Sequence, residues 1–576
     1  MTEDSAVGSR AATMTPTWFG PDEAPLFGVF HAPADRRVRG VVVLCPPIGL
    51  EMPIAYRTMR ILADRLAGAG RVPGRGIREA QHPDAGGSDD PDRVARWLAS
   101  VGHAVAYLQA AGATRVVVAG MRLGATLAAV ASSAGQQLDG LVLWDPCESG
   151  ASFLREERTL FRVGVPASQR TTHPEGAVEA PGTLYPAEAV AALDRVHVGA
   201  LLDATQAEGD VVLPKVGRVL LLTRAEVRAR AGVQRLAAAE GVESFETGGQ
   251  SALFDGPELT VPVEALERIV EWVARLLPDD RQEVFPETRD EAVVARTRDG
   301  RAIRERFVRV GDAGLFGIMT EIEGAGDRTM ILTNYASPAF RVGPARLWVD
   351  LARVWAADGV SVLRFDDAGT GDSPGGDDVA VPGAYSAAAV QDVVTAVDTV
   401  RAAGARDVGL TGFCSAAWAC LLAAARVHVE LVILLNPAVW DVRPGAHLTQ
   451  PRTSESDRVR APDRASLKSR VRGWARLAAR RVLPEPVWWR LARSGRIGAP
   501  AGMITPLALQ GTRVRLLFGH KEASAFRERR GDRLTARFGA RGLVEAFEGE
   551  DIDHSLLSLR AREVVTARLS EWVSAK

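Results

Sequence analysis

A five-residue run near the N-terminus, Leu26-Phe27-Gly28-Val29-Phe30, returns 289 positions later as Leu315-Phe316-Gly317-Ile318-Met319. At the same spacing Val41-Val42-Val43-Leu44-Cys45 returns as Met330-Ile331-Leu332-Thr333-Asn334. Two more landmarks keep the order at offsets near 291: Arg115–Gly120 matches Arg406–Gly412, and Leu143-Trp144-Asp145-Pro146 matches Leu434-Leu435-Asn436-Pro437. Four landmarks in one order at a nearly constant offset mark a duplication. Length agrees, because 576 residues exceed one ordinary core and suit two domains of roughly 250 to 300 residues.

Inside each copy, short β-branched runs alternate with Ala/Leu/Arg stretches of helical period. That pattern predicts an α/β fold, a mostly parallel sheet with helices on both faces. In the second copy the expected strands lie near 317–320, 329–334, 360–365, 408–411, 430–435, 513–518 and 543–547, with helices near 344–357, 385–403, 415–426 and 558–574. Two long interruptions without strand character, about 147–215 and 441–505, read as caps over the strands' C-terminal ends. The expected division is a loose tail over 1–17, a first domain over 18–276, a polar linker over 277–300 and a second domain over 301–576.

The strand ending at Thr411 runs into Gly412-Phe413-Cys414-Ser415-Ala416 and then an Ala/Leu helix. A tight strand-to-helix turn forces its tip residue into a strained conformation and needs small neighbours. Cys414 would sit at a helix N-terminus, which favours the thiolate. Near the C-terminus, His554 lies between the last expected strand and the closing helix, where the resemblance of the Cys414 elbow to that of the α/β-hydrolases implies a general base. The loop after the strand 513–518 offers Glu522 to orient the imidazole, with Asp551 and Asp553 as alternatives. An oxyanion hole would use the backbone N–H of Ser415 and one from the loop near Tyr335 and Ala336.

The elbow at Cys414 resembles the nucleophile elbow of the α/β-hydrolases, with Cys in place of Ser and Ala416 in place of the second Gly. The segments Asn334-Tyr335-Ala336-Ser337-Pro338-Ala339-Phe340-Arg341-Val342-Gly343-Pro344-Ala345-Arg346 and Arg364-Phe365-Asp366-Asp367-Ala368-Gly369-Thr370-Gly371-Asp372-Ser373 resemble its serine-aminopeptidase-like branch, including the exosortase-system-associated hydrolases. The resemblance spans most of 310–576. It implies two tandem α/β-hydrolase domains, and a Cys-His-acid triad in the second.

In the first copy the elbow reads Gly120-Met121-Arg122-Leu123-Gly124, and the loop 246–252 after the last strand holds no His. A guanidinium stays protonated and cannot attack a carbonyl, so this copy reads as a degenerate domain. Arg122 is expected either in an ion pair with Asp145 or Glu226, or as an anion site at a helix N-terminus.

Between 442 and 497, fourteen basic residues face four acids in a protein whose net charge is −1. Interleaved with Trp474, Trp488 and Trp489, they suit a solvated cap helix, a dock for an acyl carrier protein or a CoA thioester, or an anionic membrane surface. No nucleic-acid fold accompanies them. The four cysteines lack disulfide or metal-ligand spacing and no apolar run reaches about 18 residues, so a cytoplasmic protein without cofactor, metal or transmembrane segment is expected. The two halves are expected to pack as an internal pseudo-dimer. The predicted activity is acyl transfer through a Cys-linked acyl-enzyme on an ester or thioester, as acyltransferase, thioesterase or esterase; the competing reading is a non-catalytic binding or scaffold protein.

Overall fold

The computed structural model describes residues 13–33, 35–68, 90–133, 138–202, 217–255, 260–333, 340–375, 384–443 and 483–575. Five strands before residue 250 form one parallel sheet, in the order Val242–Thr247, Val219–Arg224, Gly140–Trp144, Val116–Met121, Val41–Cys45. Their uninterrupted apolar runs follow from burial on both faces. Val41, Val43, Val116 and Val118 pack on one side, Val42, Leu44 and Val117 on the other. A separate hairpin, Thr13–Phe19 with Leu26–Ala32, precedes this sheet.

The second sheet has nine strands in the order Glu291–Arg296, Ala302–Val310, Leu315–Ile322, Ser361–Phe365, Arg328–Thr333, Asp407–Phe413, Leu431–Leu435, Arg513–Phe518, Val544–Glu548. The first four pair antiparallel and the remainder parallel. After Arg328–Thr333 the chain steps to one side of that strand as Ser361–Phe365, then to its other side as Asp407–Phe413. Open α/β sheets place their sites at the C-terminal ends of the strands beside such a reversal. This order is that of the α/β-hydrolase fold. The seven strands expected from 315 onward are present, while Glu291–Arg296 and Ala302–Val310 were not foreseen. The latter hides its inward face behind a charge: Glu305 is fully buried, paired with Arg364 at 3.0 Å and Arg353 at 3.2 Å.

The stretch expected as a polar linker is tied down at two points. Gln282–Glu283 pairs antiparallel with Arg37–Val38, and Glu291–Arg296 is an edge strand of the second sheet. Backbone pairing at an edge asks little of side chains, so polar residues serve.

Contacts between the halves are extensive. Trp18 stacks on Phe307 at 5.8 Å and meets Phe27 edge-on at 5.7 Å. Arg341 lies between the rings of Phe27 and Phe316, its guanidinium 2.7 Å from Asp366 and 3.0 Å from Asp372, all three side chains buried. From the first half, the Tyr56 hydroxyl donates to Asp372 and Arg60 donates to the Ser373 carbonyl at 2.9 Å. Gly371 makes this turn possible: at φ +48 its hydrogen faces Asp366, and a Cβ there would stand 2.1 Å from the carboxylate.

The segment read as the first cap contains the helix Gly150–Gly164 and the hairpin Val178–Ala180/Thr183–Tyr185. This segment reaches the second half. Gly182 N–H donates to the Leu557 carbonyl at 2.7 Å, Glu179 accepts from Leu559 N–H at 2.8 Å, and Gln169 donates to the Glu550 carbonyl at 2.9 Å. Of the second expected cap, residues 444–482 lie outside the described residues; its end supplies the helices Glu485–Arg493 and Pro500–Leu509, which bury Trp488 and Trp489. No helix among the described residues is long and apolar enough to cross a membrane.

Candidate active site

Cys414 caps the helix Ser415–Ala424 directly after the strand Asp407–Phe413, with φ 52° and ψ −111°. A non-glycine residue there is strained, and the turn is held by close packing on either side. A Cβ on Gly412 would lie 2.7 Å from the Ala416 backbone. Ala416 itself is buried. The thiol is partly exposed, whereas Cys45, Cys147 and Cys420 are buried. Burial pushes the Cys45 and Cys420 thiols up to about 12 and the Cys147 thiol higher still.

His554 lies near Cys414 and interacts with it. On the imidazole's other side, Nδ1 stands 2.9 Å from Glu522 Oε1. The interaction with Cys414, and then the hydrogen bond to Glu522, raise the imidazolium pKa to about 10. Burial pushes the Glu522 carboxyl up, but the hydrogen bond and charge of His554 outweigh it and the net displacement is downward. Glu522 lies in the first turn of the helix His520–Glu528, at the end of the strand Arg513–Phe518.

The alternative acids are engaged elsewhere. Asp551 pairs with Arg560 at 2.8 Å. Asp553 accepts from the backbone N–H groups of Ser555, Leu557 and Ser558 and shapes the loop that carries His554. Of the expected oxyanion donors, Ser415 begins the helix after the thiol, while Tyr335 and Ala336 lie outside the described residues.

Two residues at this centre were not foreseen as functional. Asn436, at φ 45° after the strand Leu431–Leu435, accepts from Gly519 N–H at 2.8 Å and donates to the carbonyls of Asp553 and His554 at 3.3 and 3.1 Å. It thus joins the turn carrying Glu522 to the loop carrying His554. The sequence signal was present in the repeat landmark Asn436-Pro437, whose counterpart Asp145 also has a positive φ, 47°. Tyr385, at φ 66°, sets its ring edge-on to Trp418 at 5.6 Å, and burial first, then the charge of nearby Cys414, push its phenol up. Nothing in its local sequence announces this.

In the first half, Arg122 occupies the same elbow conformation, φ 54°, between Val116–Met121 and Leu123–Ser133. The ion-pair expectation holds for Asp145, at 3.2 Å, and Glu51 and Glu156 join at 2.8 and 2.6 Å. Glu226 instead accepts from Gly249 N–H. The expected anion site is corrected by this geometry, because three carboxylates already surround the guanidinium and repel a further anion. Where a base would stand, buried Gln250 donates to Thr247.

The chain matches no protein-family model and no curated protein. Among solved structures it is similar to an α/β serine hydrolase without a lid from Xanthomonas campestris, at 15% identity over 47% of this chain and 96% of that one, TM-score 0.27. It is similar also to Est1E from Butyrivibrio proteoclasticus, at 14% over 46% and 96%, TM-score 0.31. A Pyrococcus furiosus esterase matches at 17% over 47% and 90%, TM-score 0.28.

Proposed function

We propose that the chain is an acyl-transfer enzyme working through Cys414, with His554 as proton carrier and Glu522 as the acid that orients it. The observation that carries this reading is the hydrogen bond of His554 Nδ1 to Glu522 Oε1 at 2.9 Å, with the imidazole interacting with the partly exposed Cys414 thiol at the strand-to-helix elbow. Glu522 accepts at Nδ1, which leaves Nε2 for the thiol.

His554 takes the thiol proton and the Cys414 sulfur attacks an ester or thioester carbonyl. A C–S bond forms, and the carbonyl π pair moves to oxygen, toward the N–H of Ser415. Collapse of the adduct expels an alcohol or thiol that receives the proton from His554. Water or another nucleophile, deprotonated by His554, then opens the acyl-cysteine and restores the thiol. A thioester intermediate is opened by amines and thiols readily relative to water, which favours transfer to an acceptor over plain hydrolysis. The net basic segment 442–497 supports an acyl donor carried on CoA or an acyl carrier protein.

The four repeat landmarks and the matched elbow angles support a tandem duplication whose first copy has lost its chemistry. Intact-mass measurement after incubation with acetyl-CoA and p-nitrophenyl acetate tests the assignment. An acyl adduct on the wild type that is missing from Cys414→Ala is expected; a wild type that never acquires the adduct overturns it.

A further inference from the structure

We propose that the strand Glu291–Arg296 pairs antiparallel with the same strand of a second copy of this chain, joining two nine-stranded sheets into one. The inference is independent of the acyl-transfer reading. The strand ends its sheet: it bonds to Ala302–Val310 on one side, and among the described residues no strand pairs with its other side. Phe307 N–H donates to the Asp290 carbonyl. Backbone groups alternate sides along an antiparallel strand, so Glu291 and Val293 turn their own N–H and C=O outward. A groove of about 590 Å³ follows this edge along all six residues, walled by Asp22, Glu23 and Pro25. The strand is fixed enough to act as a template, since Ala292 is buried in the cluster that holds Trp18, Phe27 and Phe316.

An exposed row of backbone donors and acceptors is a liability that proteins blunt with charge, proline or a cover. Here the four central residues, Ala292-Val293-Val294-Ala295, include neither a charge nor a proline. The run reads the same in both directions apart from its ends, and the ends, Glu291 and Arg296, are opposite in charge. A two-fold axis between Val293 and Val294 therefore sets Glu291 of each copy against Arg296 of the other, Ala292 against Ala295 and Val293 against Val294. A closed dimer of this kind uses one patch twice, and opposite charges facing each other across the strands stabilise it. Both charges reach solvent: Glu291 is 46% exposed despite its 2.9 Å pair with Arg304, and Arg296 is exposed. The bulge between Val293 and Ala295 lies at the axis, and the twist it adds is one that a paired ribbon takes up. The far edge of the sheet, Val544–Glu548, carries two glutamates and no cation, so two copies of that strand repel.

Sedimentation velocity of the full chain across a concentration series tests the pairing, with Glu291→Arg and Arg296→Glu as variants. The wild type should sediment as a dimer at the upper end of the series. Either reversal makes both end pairs repulsive and should raise the dimer dissociation constant about tenfold or more. An equimolar mixture of the two variants has complementary ends again and should recover the dimer. A wild type that stays monomeric leaves the edge to some other chain and overturns the proposal. A dimer that both reversals leave at full strength is seated elsewhere and overturns it too. Both side chains are exposed, so the melting temperatures should match. Should one fall, Val293→Lys, which sets two like charges beside the axis, takes its place, and an undiminished dimer overturns the pairing.

Discussion

Glu522→Gln keeps the shape of the side chain and an acceptor beside His554 but removes its negative charge. In the wild type the two groups are 2.9 Å apart, with the carboxylate 10% and the imidazole 43% exposed. A hydrogen bond to a charged group contributes about 1.5–3 kcal/mol, and solvent screening at a half-exposed imidazole selects the lower end. About 1.5 kcal/mol corresponds to a tenfold change in the proton concentration at which the imidazolium gives up its proton. His554 is raised from the ordinary 6.5 to about 10, so its contribution to stability is complete below 6.5 and is lost as pH rises through about 10. The rate profile should follow the same proton, with an alkaline limb near 10 in the wild type that moves toward neutrality in the variant. The imidazole also loses its orientation, and kcat should fall about 10²–10⁴-fold. Asp551→Asn is the matched control, because Asp551 pairs with Arg560. Profiles of p-nitrophenyl acetate turnover for the three proteins check this. The reasoning is refuted if Glu522→Gln keeps both rate and limb while Asp551→Asn loses them.

A thiol probe should label Cys414 well before Cys45, Cys147 and Cys420, which are buried; peptide mapping over a time course reads the order, and equal labelling refutes it. Gly182→Ala should lower stability by about 1–3 kcal/mol and slow acylation, because Gly182 has φ +69 and its added Cβ would stand 2.1 Å from Ala345 Cβ, beside the loop that carries His554. Melting and single-turnover rates read the two effects. Arg122→Ala should destabilise the protein by about 3 kcal/mol, since it strips the cation from Glu51 and leaves Asp145 with Arg224 alone. The same variant should leave the acylation rate of the remaining folded protein unchanged, as denaturant melts and active-site titration would show.

The parallel strands and the elbow were legible because burial on both faces forces uninterrupted apolar runs, and a strained turn forces small neighbours. The strand Ala302–Val310 was not, because its inward Glu305 is tolerated only through Arg353 and Arg364, which come from residues further along the chain. The same limit applies at the site. The pairing of Glu522 with His554 followed from chain order, but choosing it over Asp551 and Asp553 needed the hydrogen bonds that occupy those two. Tyr385 escaped altogether, since its φ and its place against Trp418 are products of tertiary packing.

Arg341, Asp366 and Asp372, which lie in the two segments that resemble the serine-aminopeptidase-like branch, form a buried ion cluster closed by Tyr56 and Phe27 of the first half. Cutting the chain between the halves removes Tyr56, Arg60 and the Phe27 ring together, and uncovers Phe307, Phe316 and Phe340. The loop carrying His554 would also lose the bonds from Gly182, Glu179 and Gln169. On the proposed acyl-transfer reading, the first half is then a structural subunit of the second. Residues 284–576 expressed alone should aggregate or melt well below the full chain. Co-expression with residues 1–283 should restore both solubility and acylation of Cys414. A lone C-terminal fragment that folds and is acylated at the full rate would refute this dependence.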